Sequence, residues 1–111
     1  FKNNGTYYLI TSACTGWSPN QALYATADSL LGNWTKQGDP CTGPGADTTF
    51  GAQSTFVLPV AGKLDQYVFM ADRWNKTNLE TSRYVWLPLR VENNKLQISW
   101  KPEFTSPTKR K

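Results

Sequence analysis

The chain has 111 residues, 39% of them hydrophobic and 18% charged, which bounds it to one domain, or part of one, with enough apolar side chain to pack a core. It holds no His and only two Cys, so a nucleophile system that needs a histidine base is excluded within it, and a zinc site of the usual ligand set lacks donors. Lys109, Arg110 and Lys111 supply three of the four net positive charges; the near-neutral body has no basic stripe for a nucleic acid, and no apolar run reaches the ~18 residues of a membrane helix.

The start, Phe1-Lys2-Asn3-Asn4, has neither an initiator methionine nor the apolar core of a signal peptide, which reads as a processed chain or a fragment. Asn4-Gly5 is a hairpin-turn signal. Thr6-Tyr7-Tyr8-Leu9-Ile10-Thr11-Ser12, rich in aromatic and β-branched residues, is predicted as a strand. Thr15-Gly16-Trp17-Ser18-Pro19-Asn20 is predicted as a loop, since Gly and Pro interrupt any ladder. Residues 22–27 form the next strand, Asp28 to Trp34 a turn, and Thr35-Lys36-Gln37 a short edge strand. Residues 38–53 read as a long connecting loop containing Cys41, Pro40, Gly43, Pro44 and Gly45; loops of this length are uncommon and are usually functional or stapled.

Four strands follow closely. Residues 54–58 run to Pro59, and Ala61-Gly62 turns the chain. Residues 66–72 are an almost unbroken apolar run, as in a strand covered on both faces. Residues 84–91 contain Pro88, which marks a bulge or a partly paired strand. Glu92-Asn93-Asn94 turns into residues 96–100.

Four meandering strands in about 47 residues match the ~40–50 residues of one propeller blade. The expected fold is all-β, about two adjacent four-stranded antiparallel blades. Residues 1–37 make an incomplete blade lacking its first strand, and 54–100 a complete one. The partial propeller covers 1–104, and 105–111 is a basic tail. Blades bury their faces against neighbours, so open edges invite self-association. A small self-contained β-sandwich is the competing architecture.

Candidate chemistry gathers at loop-to-strand junctions. Gln53 stands just ahead of a strand, where its amide can hold a water or a sugar hydroxyl, or simply satisfy the strand end. Thr15, Trp17 and Asn20 combine hydroxyl, indole and amide, a mixture suited to a sugar, although a loop Trp can also plug a blade edge. Asp72-Arg73 can pair together or hold turn backbone. The eight carboxylates lie mostly in turns and form no recognisable glycosidase pair. Three sequons, at Asn4, Asn33 and Asn75, suit a secreted glycoprotein. In that compartment a Cys14–Cys41 disulfide is expected.

Tyr7-Tyr8-Leu9-Ile10-Thr11-Ser12, Thr15-Gly16-Trp17-Ser18-Pro19-Asn20, Ser29-Leu30-Leu31-Gly32-Asn33-Trp34, Gly51-Ala52-Gln53-Ser54-Thr55, Asp72-Arg73-Trp74 and Tyr84-Val85-Trp86-Leu87-Pro88-Leu89 together resemble glycoside hydrolase family 43, in its exo-β-1,3-galactanase branch. The likeness runs to about Trp100. It implies a five-bladed β-propeller that inverts the anomeric centre and acts on β-1,3-galactan; with the sequons, the expectation is a secreted enzyme. The general acid, a Glu in a Glu-Ala-Pro motif, is expected just before Phe1, outside this chain, so the isolated chain is expected to be inactive. Gln53 matches the position where this branch replaces its Asp base, implying a residue that orients water or acts as an imidic acid. Thr15 matches a contact to the terminal galactose, with Trp17 and Asn20 beside it. Calcium often accompanies the family's channel, but no ligand set for it is visible, and no other metal or cofactor is expected. The alternative is a non-catalytic carbohydrate-binding β module.

Overall fold

The computed structural model describes residues 1–104; the basic tail over 105–111 lies outside the described residues. Among the described residues nine strands form two sheets. β1 (Lys2–Asn3), β2 (Thr6–Ser12), β3 (Ala22–Ala27) and β4 (Thr35–Gly38) make the first, in that order and antiparallel throughout. β5 (Cys41–Thr42), β6 (Gln53–Pro59), β7 (Gln66–Arg73), β8 (Arg83–Glu92) and β9 (Lys95–Ser99) make the second, in the order β5-β9-β8-β7-β6. Each sheet is one meandering blade-like unit, and the two are consecutive in the chain.

Hairpin registers follow from turn chemistry. Asn4 and Gly5 sit at φ 45° and 82°, and Asn93 and Asn94 at 51° and 59°. Two consecutive left-handed residues make the turn whose twist matches its flanking strands, and Asn and Gly tolerate that region best. Each turn locks its ladder: Asn3 faces Thr6, and Glu92 faces Lys95.

Two strand assignments change. The first blade is not missing its inner strand altogether, because Lys2–Asn3 already pairs with β2. The connecting segment is not all loop either. Cys41–Thr42 pairs in parallel with Ile98 and Ser99 and adds a fifth strand to the second blade. A short 3-10 segment, Ala46–Gly51, precedes β6. Pro88 makes no bulge: it stays in register with Val68 in β7, while the pairing with β9 stops at Leu89.

Strand alternation builds the core. β8 buries Val85, Leu87, Leu89 and Val91 and turns Tyr84, Trp86 and Arg90 outward, the period of two that a sheet with one packed face requires. Tyr8, Ala22 and Tyr24 come from the first sheet, and Phe69, Ala71, Leu96 and Ile98 join from the second. β7 buries both Val68 and Phe69, which point to opposite faces, in line with its unbroken apolar run. The other face of the second sheet stays open. Phe56 faces Met70, which faces Trp86, and Phe56 and Trp86 are 58% and 55% exposed. Large apolar side chains in a row at such exposure mark a surface made to be covered.

The predicted Cys14–Cys41 disulfide is absent, and both cysteines are free thiols. Cys14 is exposed in the loop after β2 of the first sheet, whereas Cys41 is buried in β5 at the edge of the second.

Candidate functional site

The end of β2, the starts of β3 and β6, and the end of β7 meet at one rim. The β2–β3 loop there is folded by one side chain. Asn20 Oδ1 accepts the Ala13 N–H at 3.0 Å, and its Nδ2 donates to the Ala13 carbonyl at 2.9 Å. The amide thus copies a strand partner. Nδ2 also donates to Thr15 Oγ1 at 2.6 Å, and the Thr15 hydroxyl donates to the Ser18 carbonyl at 2.5 Å. Gly16, at φ 61°, lets residues 15–18 turn back sharply, since glycine enters this region without steric cost. Trp17 is thereby pushed outward.

Trp17 meets Trp74, just beyond β7, edge to face, with ring centroids 4.8 Å apart and planes at 73°. The opposed charge of ring face and ring edge favours this geometry. Both indoles stay about half exposed, so each keeps surface for a ligand.

The other wall is an irregular backbone. Thr49, Phe50 and Gly51 lie at φ 52°, 57° and 71°. A left-handed β-branched or aromatic residue is strained and persists only where its surroundings over-determine it. Here they do. Thr49 Oγ1 donates to the Asn20 carbonyl at 2.7 Å, and Arg73 Nη2 donates to the Phe50 carbonyl at 2.6 Å. The Phe50 N–H reaches the Gly45 carbonyl at 2.8 Å, and the Ala52 N–H reaches the Thr49 carbonyl at 3.1 Å. Thr49 and Phe50 are both buried.

Between the walls lies a cleft of ≈240 Å³ whose lining includes Trp17, Asn20, Gly51, Gln53 and Trp74. Gln53 opens β6 opposite Asp72 and is exposed. Among the described residues no hydrogen bond ties its amide to the strand end, which leaves both ends of that amide for a ligand. No charged side chain lines the cleft. Its chemistry is therefore neutral: aromatic surface for C–H groups, and amide, hydroxyl and backbone groups for O–H groups.

Of the predicted site residues, Trp17 and Gln53 meet in the cleft. Asn20 reaches its lining with both amide hydrogens already committed to the loop. Thr15 is not on the lining; its hydroxyl is used within the turn. Trp74 completes the aromatic wall. The sequence singles it out only as part of Asp72-Arg73-Trp74 at a strand end, with nothing to indicate a partner far away in the chain.

The sequons differ in freedom. Asn4 and Asn33 are exposed. The Asn75 amide is occupied, donating to Thr81 Oγ1 at 2.7 Å and accepting from the Thr77 hydroxyl at 2.9 Å. The Cys41 thiol is pushed up to about 12 by burial, then by the charge and hydrogen bond of Asp39. Among the described residues no three His, Cys, Asp or Glu side chains gather as a metal-ligand group.

Several solved structures are similar to this chain. One is the GH43 β-1,3-galactosidase BT3683 with galactodeoxynojirimycin: 48% identity, TM-score 0.88, covering 94% of this chain and 30% of that one. An exo-β-1,3-galactanase from Clostridium thermocellum is 40% identical over 88% of this chain and 22% of its own, with TM-score 0.76. An exo-β-1,3-galactanase from Phanerochaete chrysosporium, solved with β-1,3-galactotriose, is 36% identical over the same shares, 88% and 22%, also at 0.76. The chain spans about a fifth to a third of the length of these structures. No protein-family model matches it, and no curated protein does.

Proposed function

We propose that this chain, which belongs to glycoside hydrolase family 43, supplies part of the galactoside-binding channel of an exo-acting, inverting β-1,3-galactan hydrolase. The observation that carries the proposal is the meeting of Gln53, Trp17 and Trp74 in one uncharged cleft, in a chain 48% identical to a β-1,3-galactosidase. The cleft, ≈240 Å³ as these residues line it, has room for a sugar ring. Galactose presents C–H groups on one face, which suit an indole, and hydroxyls around its edge, which suit amides.

In an inverting hydrolysis, water attacks the anomeric carbon as the glycosidic C–O bond breaks, and a general acid protonates the leaving oxygen. Gln53 takes the water's side: its carbonyl accepts one water hydrogen while its NH₂ donates to the sugar. A neutral amide is a poor base. As an amide Gln53 orients the water, whose proton passes to solvent or to a base beyond these lining residues; as the neutral imidic acid tautomer its imine nitrogen accepts that proton and becomes a protonated amide. No carboxylate lines the cleft, so the proton for the leaving oxygen must come from beyond these lining residues. The isolated chain is accordingly expected to bind galactoside and not cleave it.

The same lack of a carboxylate favours a second reading, a carbohydrate-binding β module. Calorimetric titration with β-1,3-galactobiose, followed by product analysis, separates the cases. Binding without hydrolysis by the chain, together with hydrolysis when the chain is part of the complete propeller, supports the enzyme. Binding with no hydrolysis in either form supports the module. No binding at all defeats both. The three sequons favour an extracellular setting; in a glycosylating host, carbohydrate is expected at Asn4 and Asn33 ahead of Asn75, read by peptide mass.

A further inference from the structure

We infer that Arg73 is a positioning residue, which fixes the left-handed Thr49-Phe50-Gly51 turn from behind and so sets where Gln53 stands in the cleft. Arg73 does not line the cleft. Its guanidinium donates to the Phe50 carbonyl at 2.6 Å, a short, charge-assisted bond of the stronger kind. Its Cζ stands 5.9 Å from the Trp100 ring centroid, and the Phe50 ring lies 5.4 Å from that same indole. Arginine and phenyl thus both pack against one indole, the Phe50 ring tilted 34° to it, and Phe50 is held by its main chain and by its side chain.

The sheet itself gives no reason for an arginine here. Arg73 faces Arg83 across the β7–β8 ladder, and like charges directly opposite each other destabilise a sheet. The turn supplies the reason. Two non-glycine residues at φ 52° and 57° are strained, and their carbonyls need fixed partners to remain there. From Phe50 the chain reaches Gln53 in three residues, with the Ala52 N–H closing back on the Thr49 carbonyl at 3.1 Å. Displacing the Phe50 carbonyl displaces Gln53. Arg73 also lies between Asp72, the ladder partner of Gln53, and Trp74, the partner of Trp17. One strand end therefore carries the support of both cleft walls.

Amide resonances of Gln53 and Ala52 in the 111-residue chain, with and without β-1,3-galactobiose, test this. Arg73→Met keeps the stem and removes the donor. It should move the Gln53 backbone and side-chain resonances in the absence of sugar, speed Ala52 N–H exchange, weaken galactobiose binding about tenfold as the competent position of Gln53 loses population, and lower the melting temperature by several degrees for the loss of one charge-assisted bond. Arg73→Lys, which keeps charge and a donor, should restore much of the Gln53 position. Unmoved Gln53 resonances and unchanged Ala52 exchange in Arg73→Met overturn the inference. If Arg73→Met fails to fold, Arg73→Gln, shorter and uncharged, carries the comparison: displaced Gln53 resonances support the inference and unmoved ones overturn it. The binding arm rests on the galactoside reading. If the wild-type chain does not respond to galactobiose, that reading fails by itself, and the sugar-free resonances still decide on Arg73.

Discussion

Asn20 offers the sharpest perturbation, because one amide closes the loop that presents Trp17. Asn20→Asp is nearly isosteric and keeps the acceptor for the Ala13 N–H. It removes the donor that meets the Ala13 carbonyl at 2.9 Å and Thr15 Oγ1 at 2.6 Å, and turns a carboxylate oxygen toward that carbonyl. Two lost hydrogen bonds at ~0.5–1.5 kcal/mol each give about 1–3 kcal/mol. The bonds lost close one exposed loop at the rim, so that loop opens more readily. At 1.4 kcal/mol per factor of ten, exchange of the Ser18 N–H, which bonds the Thr15 carbonyl at 3.2 Å, should accelerate about 5- to 150-fold. Exchange at Phe69 in the core, which needs global opening, should accelerate by no more than the same factor. Galactobiose binding should weaken as the closed loop loses population. Unaltered Ser18 exchange would refute the stapling role, and acceleration at Phe69 beyond that at Ser18 would show that the substitution acts on the core instead.

Phe69 is fully buried at 0% exposure; Phe69→Ala should cost about 3–5 kcal/mol in urea unfolding, and a cost below about 1 kcal/mol would contradict the packing of the two sheets. A thiol reagent should modify one cysteine of the native chain, Cys14, and reach Cys41 only on unfolding; two unreactive thiols would restore the disulfide. Because the Cys41 pKa rises from an ordinary 9.0 to about 12 on folding, the folded chain holds that proton more tightly. Its contribution is whole below about pH 9 and fades towards about 12, and Cys41→Ala should flatten stability over that window in alkaline denaturant titrations. Charging the open face with Phe56→Lys and Trp86→Lys should reduce self-association at millimolar concentration with little change in melting temperature. A wild-type chain that sediments as a monomer there would remove the reason for the change.

Much of the fold is legible because it is local. Hairpin turns at Asn4-Gly5 and Asn93-Asn94 declare themselves by residue type, and the blade over residues 54–100 follows from alternation and spacing. β5 escapes because two residues carry no pattern and their partner, Ile98, is remote in the chain. The site is legible in part. Gln53 and Trp17 stand at junctions where polar and aromatic residues interrupt strands. Asn20 and Thr15 belong to types that serve a ligand or their own loop equally well, and only the closed hydrogen bonds of the loop decide between the two. Trp74 and Arg73 act through contacts with residues far back in the chain, which no local pattern encodes. The left-handed turn at Thr49 and Phe50 runs against residue preference, so sequence would place it anywhere but there.

Backbone and indole N–H correlation spectra of the chain, titrated with β-1,3-galactobiose, test the central claim most directly. Shifts should concentrate at the Trp17 and Trp74 indoles, the Gln53 amide and the Gly51 and Ser18 backbone, with the Asn93-Asn94 hairpin at the far end of the second sheet silent. A spectrum that does not respond, or a response centred on that hairpin, would contradict the account.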